Sequence, residues 1–220
     1  MRQVFTIKSV PRTSWSSATA LSIRPAMLTL VLLCAGLVLF GVGEAMLIAS
    51  GGGVSPWTVL AQGISLQTQF SIGWATFWVS VVVLLSWIPL RQIPGLGTIL
   101  NVIIISATLE LALLFLPQPE IIGLVVLQIV LGILLVGLGS GIYLVANLGA
   151  GPRDGLMTGL QRVTGMPIAA VRAGLEISVV VCGWLLGGVV GLGTVLFALG
   201  IGPAVSLGLF TVQQLSGKAP

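Results

Sequence analysis

Apolar residues run in six long stretches along the chain, and polar residues gather in the gaps between them instead of alternating with a helix or strand period. The stretches are Met27 to Ile48, Ile72 to Leu90, Thr98 to Leu116, Ile121 to Ala146, Ile168 to Leu186 and Thr194 to Leu215. A helix needs about 20 consecutive apolar residues to cross the hydrocarbon core of a bilayer, and each stretch comes close to that length. The pattern predicts an all-α integral membrane protein with six transmembrane helices. Two gaps are long for simple connections, one after the first stretch and one after the fourth. Each holds a Gly-x-x-Pro and then a short, weakly apolar piece, Trp57 to Ser65 or Arg153 to Gln161. Pro56 and Pro152 suit the first position of a short helix. A half-helix is therefore expected in each gap, either lying at the interface or re-entering the membrane with its N-terminal amides free to meet an anion.

Composition narrows the class of chemistry. Of the residues, 56% are apolar and 6% charged, against about a quarter charged in a soluble domain. The chain divides into a basic tail over residues 1–25, a first three-span unit over 26–116 and a second over 121–215, which leaves no room for a separate soluble catalytic domain. There is no histidine. A Ser-His-Asp triad, an HExxH zinc site and a haem histidine are thereby excluded, and no Gly-rich phosphate loop of the Walker type is present. No metal, no cofactor and no enzymatic activity are expected. Cys34 and Cys182 sit in apolar runs and read as small buried hydrophobes.

The sign of the charges fixes an orientation. With the N-terminus cytoplasmic, the nine Lys and Arg residues all fall on or near the inner side: Arg2, Lys8, Arg12, Arg24, Arg91, Arg153, Arg162, Arg172 and Lys218. The connections Ser50 to Ser71, Pro117 to Glu120 and Gly187 to Gly193 carry none, as the positive-inside rule requires. The expectation is a multi-pass protein of the bacterial inner membrane with both termini cytoplasmic. A pI of 9.8 then reflects attraction to the inner leaflet, and nucleic acid is not an expected partner, since neither a basic run nor an aromatic platform is present. Trp57, Trp74, Trp78, Trp87 and Trp184 read as interfacial anchors.

A shift of 96 residues lays Gly41 to Leu100 on Gly137 to Leu196 without a gap. Gly41, Gly43, Gly53, Pro56, Leu60 and Gly63 fall on Gly137, Gly139, Gly149, Pro152, Leu156 and Gly159, and Gly95-Leu96-Gly97-Thr98 recurs as Gly191-Leu192-Gly193-Thr194. Shared apolar composition alone does not explain matches at these punctuating positions. Three spans per unit is an odd number, so the second unit enters the membrane from the opposite side. Inverted repeats of this kind characterise transporters, whose solute site lies near the midplane between the repeats. Small-xxx-small spacings such as Gly137 to Gly141, Gly183 to Gly187 and Gly187 to Gly191 read as helix-packing faces. The two Gly-x-Gly-Thr segments predict tight helix starts capped by Thr.

The segment Gly149-Ala150-Gly151-Pro152-Arg153-Asp154-Gly155-Leu156-Met157-Thr158-Gly159-Leu160 is the most specific in the chain. With Val171-Arg172, Glu176, Gly183-Trp184-Leu185-Leu186-Gly187-Gly188 and Gly191-Leu192-Gly193-Thr194, the chain from about Gly41 to Pro203 resembles the YczE/YyaS/YitT family of bacterial integral membrane proteins, and within it the YczE-like branch. The resemblance implies an inner-membrane protein discussed as a candidate transporter. It brings no established substrate and no catalytic residues. The C-terminal soluble domain of YitT-like members has no counterpart in the sequence, so regulation through one is not expected.

An ionisable side chain at membrane depth is costly and marks a candidate functional site. Glu176 follows Arg172 by four residues, so the two share a helix face and either form a structural ion pair or line a polar vestibule in which Arg172 offers a planar fork to a carboxylate or phosphate. Glu110 lies well inside the third span. It is read either as a proton-coupling carboxylate or as a neutral acid hydrogen-bonded to Gln128, Asn101 or a free carbonyl. Glu44, beside Gly43 near the outer end of the first span, is a candidate for a mouth or half-helix contact, with simple solvation as the plainer reading. Arg153 and Asp154 flank the start of the second half-helix, as gating residues or as a topology anchor. The leading functional reading is a transporter or channel-like protein for a small metabolite, with anions favoured and the site near Glu110, Arg172 and Glu176. The alternative is a non-transporting membrane scaffold or accessory partner of another protein. Polar residues converging on one cavity favour the first reading, and dispersed, individually paired ones favour the second.

Overall fold

The computed structural model describes residues 10–216. Eight helices follow one another: α1 Met27–Ala49, α2 Pro56–Gln67, α3 Ile72–Leu85, α4 Leu96–Leu113, α5 Ile122–Ala146, α6 Pro152–Thr164, α7 Ile168–Leu185 and α8 Leu192–Ser216. Among the described residues there is no strand. Both short helices appear where Gly-x-x-Pro stands, and each has its proline within the first turn, where a missing N–H costs nothing. Arg2, Lys8 and Lys218, which enter the charge argument, lie outside the described residues.

Five helices are long and apolar enough to cross a membrane: α1, α4, α5, α7 and α8. The expected second span is a correction. The apolar run predicts Ile72 to Leu90, but α3 ends at Leu85 after 14 residues, roughly 21 Å at 1.5 Å per residue and short of a hydrocarbon core of about 30 Å. Pro89 lies in the turn that follows α3, and a proline lacks the N–H that a helix interior uses. A sixth span is reached only if α2 and α3, bent by 116° at their junction, are taken as one broken crossing.

At the centre α1 and α5 pack along their lengths, flanked by α4 on α1 and α8 on α5. Glycine makes this approach close. A Cβ on Gly36 would stand 2.9 Å from the Gly139 carbonyl oxygen, and one on Gly43 would stand 2.7 Å from that of Gly132. The small-residue face Gly137–Gly141 of α5 meets Ala204 and Gly208 of α8 in the same way. In a bilayer such interfaces gain from dispersion and backbone proximity rather than from expelling water. Leu33, Leu37, Ile105 and Leu209 fill one side of the core, and Leu47, Ile129, Ile133 and Phe197 the other.

Two backbone bonds tie the halves of the chain together. The Gly97 amide donates to the Leu148 carbonyl at 2.7 Å, and the Gly193 amide donates to the Gly52 carbonyl at 2.7 Å. Exchanging the two halves, with the donor moved forward and the acceptor back by 96 residues, turns the first bond into the second. In each Gly-x-Gly-Thr segment the threonine hydroxyl accepts from the first glycine amide, Gly95 to Thr98 at 3.1 Å and Gly191 to Thr194 at 3.3 Å, so the predicted threonine caps are formed. Gly53 and Gly149, at φ +109° and +113°, press against Gly191 and Gly95 in backbone conformations that favour glycine.

The described part of the basic tail is folded onto the bundle. Trp15 donates from Nε1 to Ser216 Oγ at 2.8 Å, the Ser17 amide donates to the Ala146 carbonyl at 3.0 Å, and Asn147 Nδ2 donates to the Ser17 carbonyl at 2.8 Å. These bonds gather the tail with the end of α5 and the end of α8. The two cysteines depart from the expectation of burial. Cys34 is partly covered and Cys182 exposed, because Cys182 lies on the outward face of α7, the least covered of the five long helices.

Candidate functional site

Among the described residues, seven charged ones lie within helices: Glu44, Glu110, Arg153, Asp154, Arg162, Arg172 and Glu176. Four of them, Arg153, Asp154, Arg172 and Glu176, line one cavity of about 310 Å³. The half-helices place this chemistry. Pro56 and Trp57 of α2 and Pro152 to Asp154 of α6 all reach the cavity wall, so the first turns of the two half-helices meet there. The Arg153 guanidinium carbon lies over the Trp57 ring, 5.3 Å from its centroid, close enough for the ring face to attract the cation. They are the same position in the two halves, 96 residues apart.

Much of the lining follows that relation, although Ser140, Tyr143, Asp154 and a few others have no counterpart on the wall. Phe40 and Val136, Pro56 and Pro152, Thr76 and Arg172, Ser80 and Glu176, Asn101 and Phe197, Ile105 and Ile201, and Ser106 and Gly202 are further pairs separated by 96 residues, all on the wall. The helix packing is less even. α3 packs against α4, whereas the corresponding α7 and α8 stand apart, and the cavity lies between α7 and α8 on that side.

Arg153 is the chemically open group. No described residue engages its N–H donors by ion pair, and its partner is the Trp57 face. Asp154 follows it in the first turn of α6, and Glu176 shares the cavity wall. Asp154 is held in turn by the Tyr143 hydroxyl, which donates to Oδ2 at 2.7 Å. Arg172 donates from Nε to Glu176 Oε1 at 2.8 Å. The structural pairing of these two is therefore realised on the cavity wall itself. Ser106, 5% exposed, lines the cavity with a hydroxyl that has no protein partner, a polar group that a solute or water would satisfy. Thr76, Ser80 and Ser140 donate to carbonyls of their own helices and keep oxygen lone pairs to offer.

Glu44 is not solvated. It is 1% exposed, and its Oε2 accepts from Ser55 Oγ at 2.8 Å and Thr58 Oγ1 at 2.7 Å. The half-helix contact is thus the correct alternative. Its carboxylate sits behind the first turn of α2, where the helix dipole favours negative charge, and its Oε1 has no partner.

Glu110 departs from the expected site. It is not on the cavity wall, and its Oε2 accepts from the Gly73 amide at 2.8 Å. The cause is local: Gly73 stands in the first turn of α3, whose amides lack intrahelical partners, and a glycine there lets the α4 carboxylate approach. None of the anticipated side-chain partners is used. Gln128 donates to the Met46 and Pro117 carbonyls, while Asn101 lines the cavity.

Two of the five expected interfacial tryptophans are also corrected. Trp57 is 8% and Trp87 3% exposed. Trp87 lies over Gly155 and donates from Nε1 to the Pro152 carbonyl at 2.9 Å, fixing the start of α6. Trp74, Trp78 and Trp184 are exposed, as anchors require. Tyr143, the single tyrosine of the chain, and Ser106 were not singled out by sequence. Tyr143 is identifiable in retrospect as the phenol in an otherwise apolar helix, but a lone serine among apolar residues gives no such signal.

The comparisons with known proteins bear on this geometry. A family model, the family of unknown function DUF6198, matches residues 27–209. The chain belongs to this family. It is 44% identical over 209 residues to an uncharacterized protein of Haemophilus influenzae, covering 95% of both chains. It is 31% identical over 167 residues to the uncharacterized membrane protein YczE of Bacillus subtilis, covering 75% of this chain and 78% of that one. The resemblance to the YczE-like branch is therefore shown. No solved structure matches. The DUF6198 match spans both half-helices, the cavity and Glu44.

Proposed function

We propose that this DUF6198 protein is a transporter of the bacterial inner membrane, with cytoplasmic termini, that carries a small anionic metabolite through the cavity at Arg153. It is read as a carrier without catalytic activity. The observation that carries the proposal is the meeting of two half-helix first turns at one unpaired guanidinium. Each helix N-terminus contributes about half a positive charge, and these two ends lie beside Arg153, the cation of the wall that has no ion-pair partner among the described residues, with Arg172 already held by Glu176 and Asp154 by Tyr143. The cavity has the size expected of a small-molecule site.

The inverted-repeat reading is supported by the reciprocal bonds Gly97 to Leu148 and Gly193 to Gly52, and by a cavity wall assembled largely from positions 96 residues apart. Re-entrant placement of the half-helices is supported by the burial of Trp57 and of Pro152, Gly155 and Gly159. The unequal packing, α3 closed on α4 and α7 apart from α8, has the form of one face of an alternating-access cycle. The convergence of four charged residues on one cavity supports transport over a scaffold role, while Glu110 and Glu44 are paired away from it.

A ligand screen by thermal shift tests this on detergent-purified protein, with small carboxylates, phosphates, sulfonates and amino acids as the panel. A ligand that binds only the folded state raises its stability by mass action. The expected result is a saturable shift with one anionic class, absent in Arg153→Gln although that variant remains folded, followed by flux of the same solute in proteoliposomes. A flat panel and no flux with folded protein would refute transport and direct attention to co-purifying partners.

A further inference from the structure

The cavity arrangement leaves Glu44 without a role in binding the solute. It is the most deeply buried carboxylate of the chain, one of its oxygens is free, and no Lys or Arg forms an ion pair with it among the described residues. We propose that Glu44 is a proton-coupling site: a monovalent anion that binds at Arg153 is carried together with one proton held on Glu44. This rests on the transport reading and adds the coupling ion to it.

The argument is one of charge balance. The cavity wall carries two guanidinium cations, Arg153 and Arg172, and two carboxylates, Asp154 and Glu176, and a third carboxylate, Glu44, stands behind it on Ser55 and Thr58, which flank the wall residues Pro56 and Trp57. A further anion would add a second uncompensated negative charge in a poorly solvated site, and neighbouring negative charge favours protonation of a carboxylate. Each carboxylate has different surroundings. Glu176 holds Arg172 at 2.8 Å and Asp154 accepts from Tyr143. Neither Asp154 nor Glu44 has a cation in contact among the described residues, but Glu44 is the buried one, and its free Oε1 can receive a proton without breaking the Ser55 and Thr58 bonds to Oε2.

The helices packed on α1 supply no alternative carrier. α2 and α8 contain no titratable side chain and α5 contains only Tyr143, whose hydroxyl is spent on Asp154. Glu110 of α4 is bound to the Gly73 amide. From beyond them, α6 contributes Arg153 and Asp154, and α7 contributes Arg172 and Glu176. In the resulting step the anion takes the guanidinium as counter-ion, Glu44 Oε1 gains one proton from bulk water, and no bond in the solute changes. The pair that moves has no net charge, so transport of a monovalent anion is electroneutral.

The test uses gluconate and isethionate, a carboxylate and a sulfonate that are monovalent, slow to cross lipid and not themselves titrated near neutral pH. Titration calorimetry of the full-length wild type in buffers of different ionisation heat counts the protons taken up per anion bound. One proton per anion is expected, with affinity falling about tenfold per pH unit on the alkaline side and becoming nearly independent of pH in Glu44→Gln. Uptake into liposomes should likewise carry one proton and ignore the membrane potential. If Glu44→Gln does not fold, infrared difference spectra of the wild type decide, since anion addition should create a protonated carboxylic acid carbonyl band, displaced in Glu44→Asp. Binding without proton uptake, proton uptake that survives in Glu44→Gln, or no new acid band overturns the role of Glu44 and leaves transport standing. Absence of both binding and flux for the two anions and for the wider panel overturns the transport reading and the coupling together.

Discussion

Replacing Gly193 by alanine probes the bond that ties the α8 start to the loop before α2. A Cβ at Gly193 would overlap the Gly53 carbonyl oxygen, and the Gly193 amide is itself the donor to Gly52. The obstacle is backbone, which cannot swing aside as a side chain can. Overpacking of this kind costs about 1–3 kcal/mol, and a strained or lost backbone hydrogen bond adds about 1 kcal/mol. Alanine recovers up to about 1 kcal/mol over glycine in a helix. The net is roughly 1–3 kcal/mol, or about 2–12 °C in Tm for a chain of this size. Gly97→Ala, whose Cβ would stand 2.9 Å from the Leu148 oxygen, should fall less. Gly174→Ala, in α7 with nothing within 4 Å, should rise slightly. Thermal unfolding of the three purified variants in one detergent measures this order. If Gly193→Ala melts with or above Gly174→Ala, the close backbone contact between the halves does not hold the fold, and the reasoning from it fails.

Other expectations follow from single contacts. Glu110→Gln should lower stability by about 1 kcal/mol through the weakened charge-assisted bond to the Gly73 amide, without changing anion response in thermal shift; a lost response with unchanged stability would return Glu110 to the site. Tyr143→Phe removes the donor to Asp154 and should cost about 1–3 kcal/mol by denaturation, since the partner is a carboxylate. Arg172→Ala and Glu176→Gln break a partly exposed pair and should each change stability by less than about 1 kcal/mol, yet abolish the solute-dependent shift; a fall in melting temperature with the ligand response intact would assign the pair a structural role alone.

Sequence by itself determined the solvent and the elements. Apolar run length depends only on the thickness of the bilayer, so five spans were legible at their approximate bounds, and Gly-x-x-Pro announced both half-helices because proline is tolerated in a first helical turn. The shift of 96 residues named positions that the fold then brings together, Trp57 with Arg153 above all. What sequence could not determine was which polar group faces which. A carboxylate in an apolar run is a candidate for any partner that reaches it, and its partner is chosen by helix rotation and crossing, which apolar runs do not encode. Glu44 and Glu110 show the consequence: each is an acid in an apolar run, and the packing of α1 and α4 hands one the hydroxyls of Ser55 and Thr58 and the other the Gly73 amide. Trp57 and Trp87 were equally ambiguous, because an indole suits an interface or a core, and only the convergence of α2 and α6 put both inside the protein. The cavity belongs wholly to tertiary structure. It exists because glycines let α1, α5 and α8 approach closely while α7 stands off from α8, a difference in packing between two halves whose sequences predict the same spans.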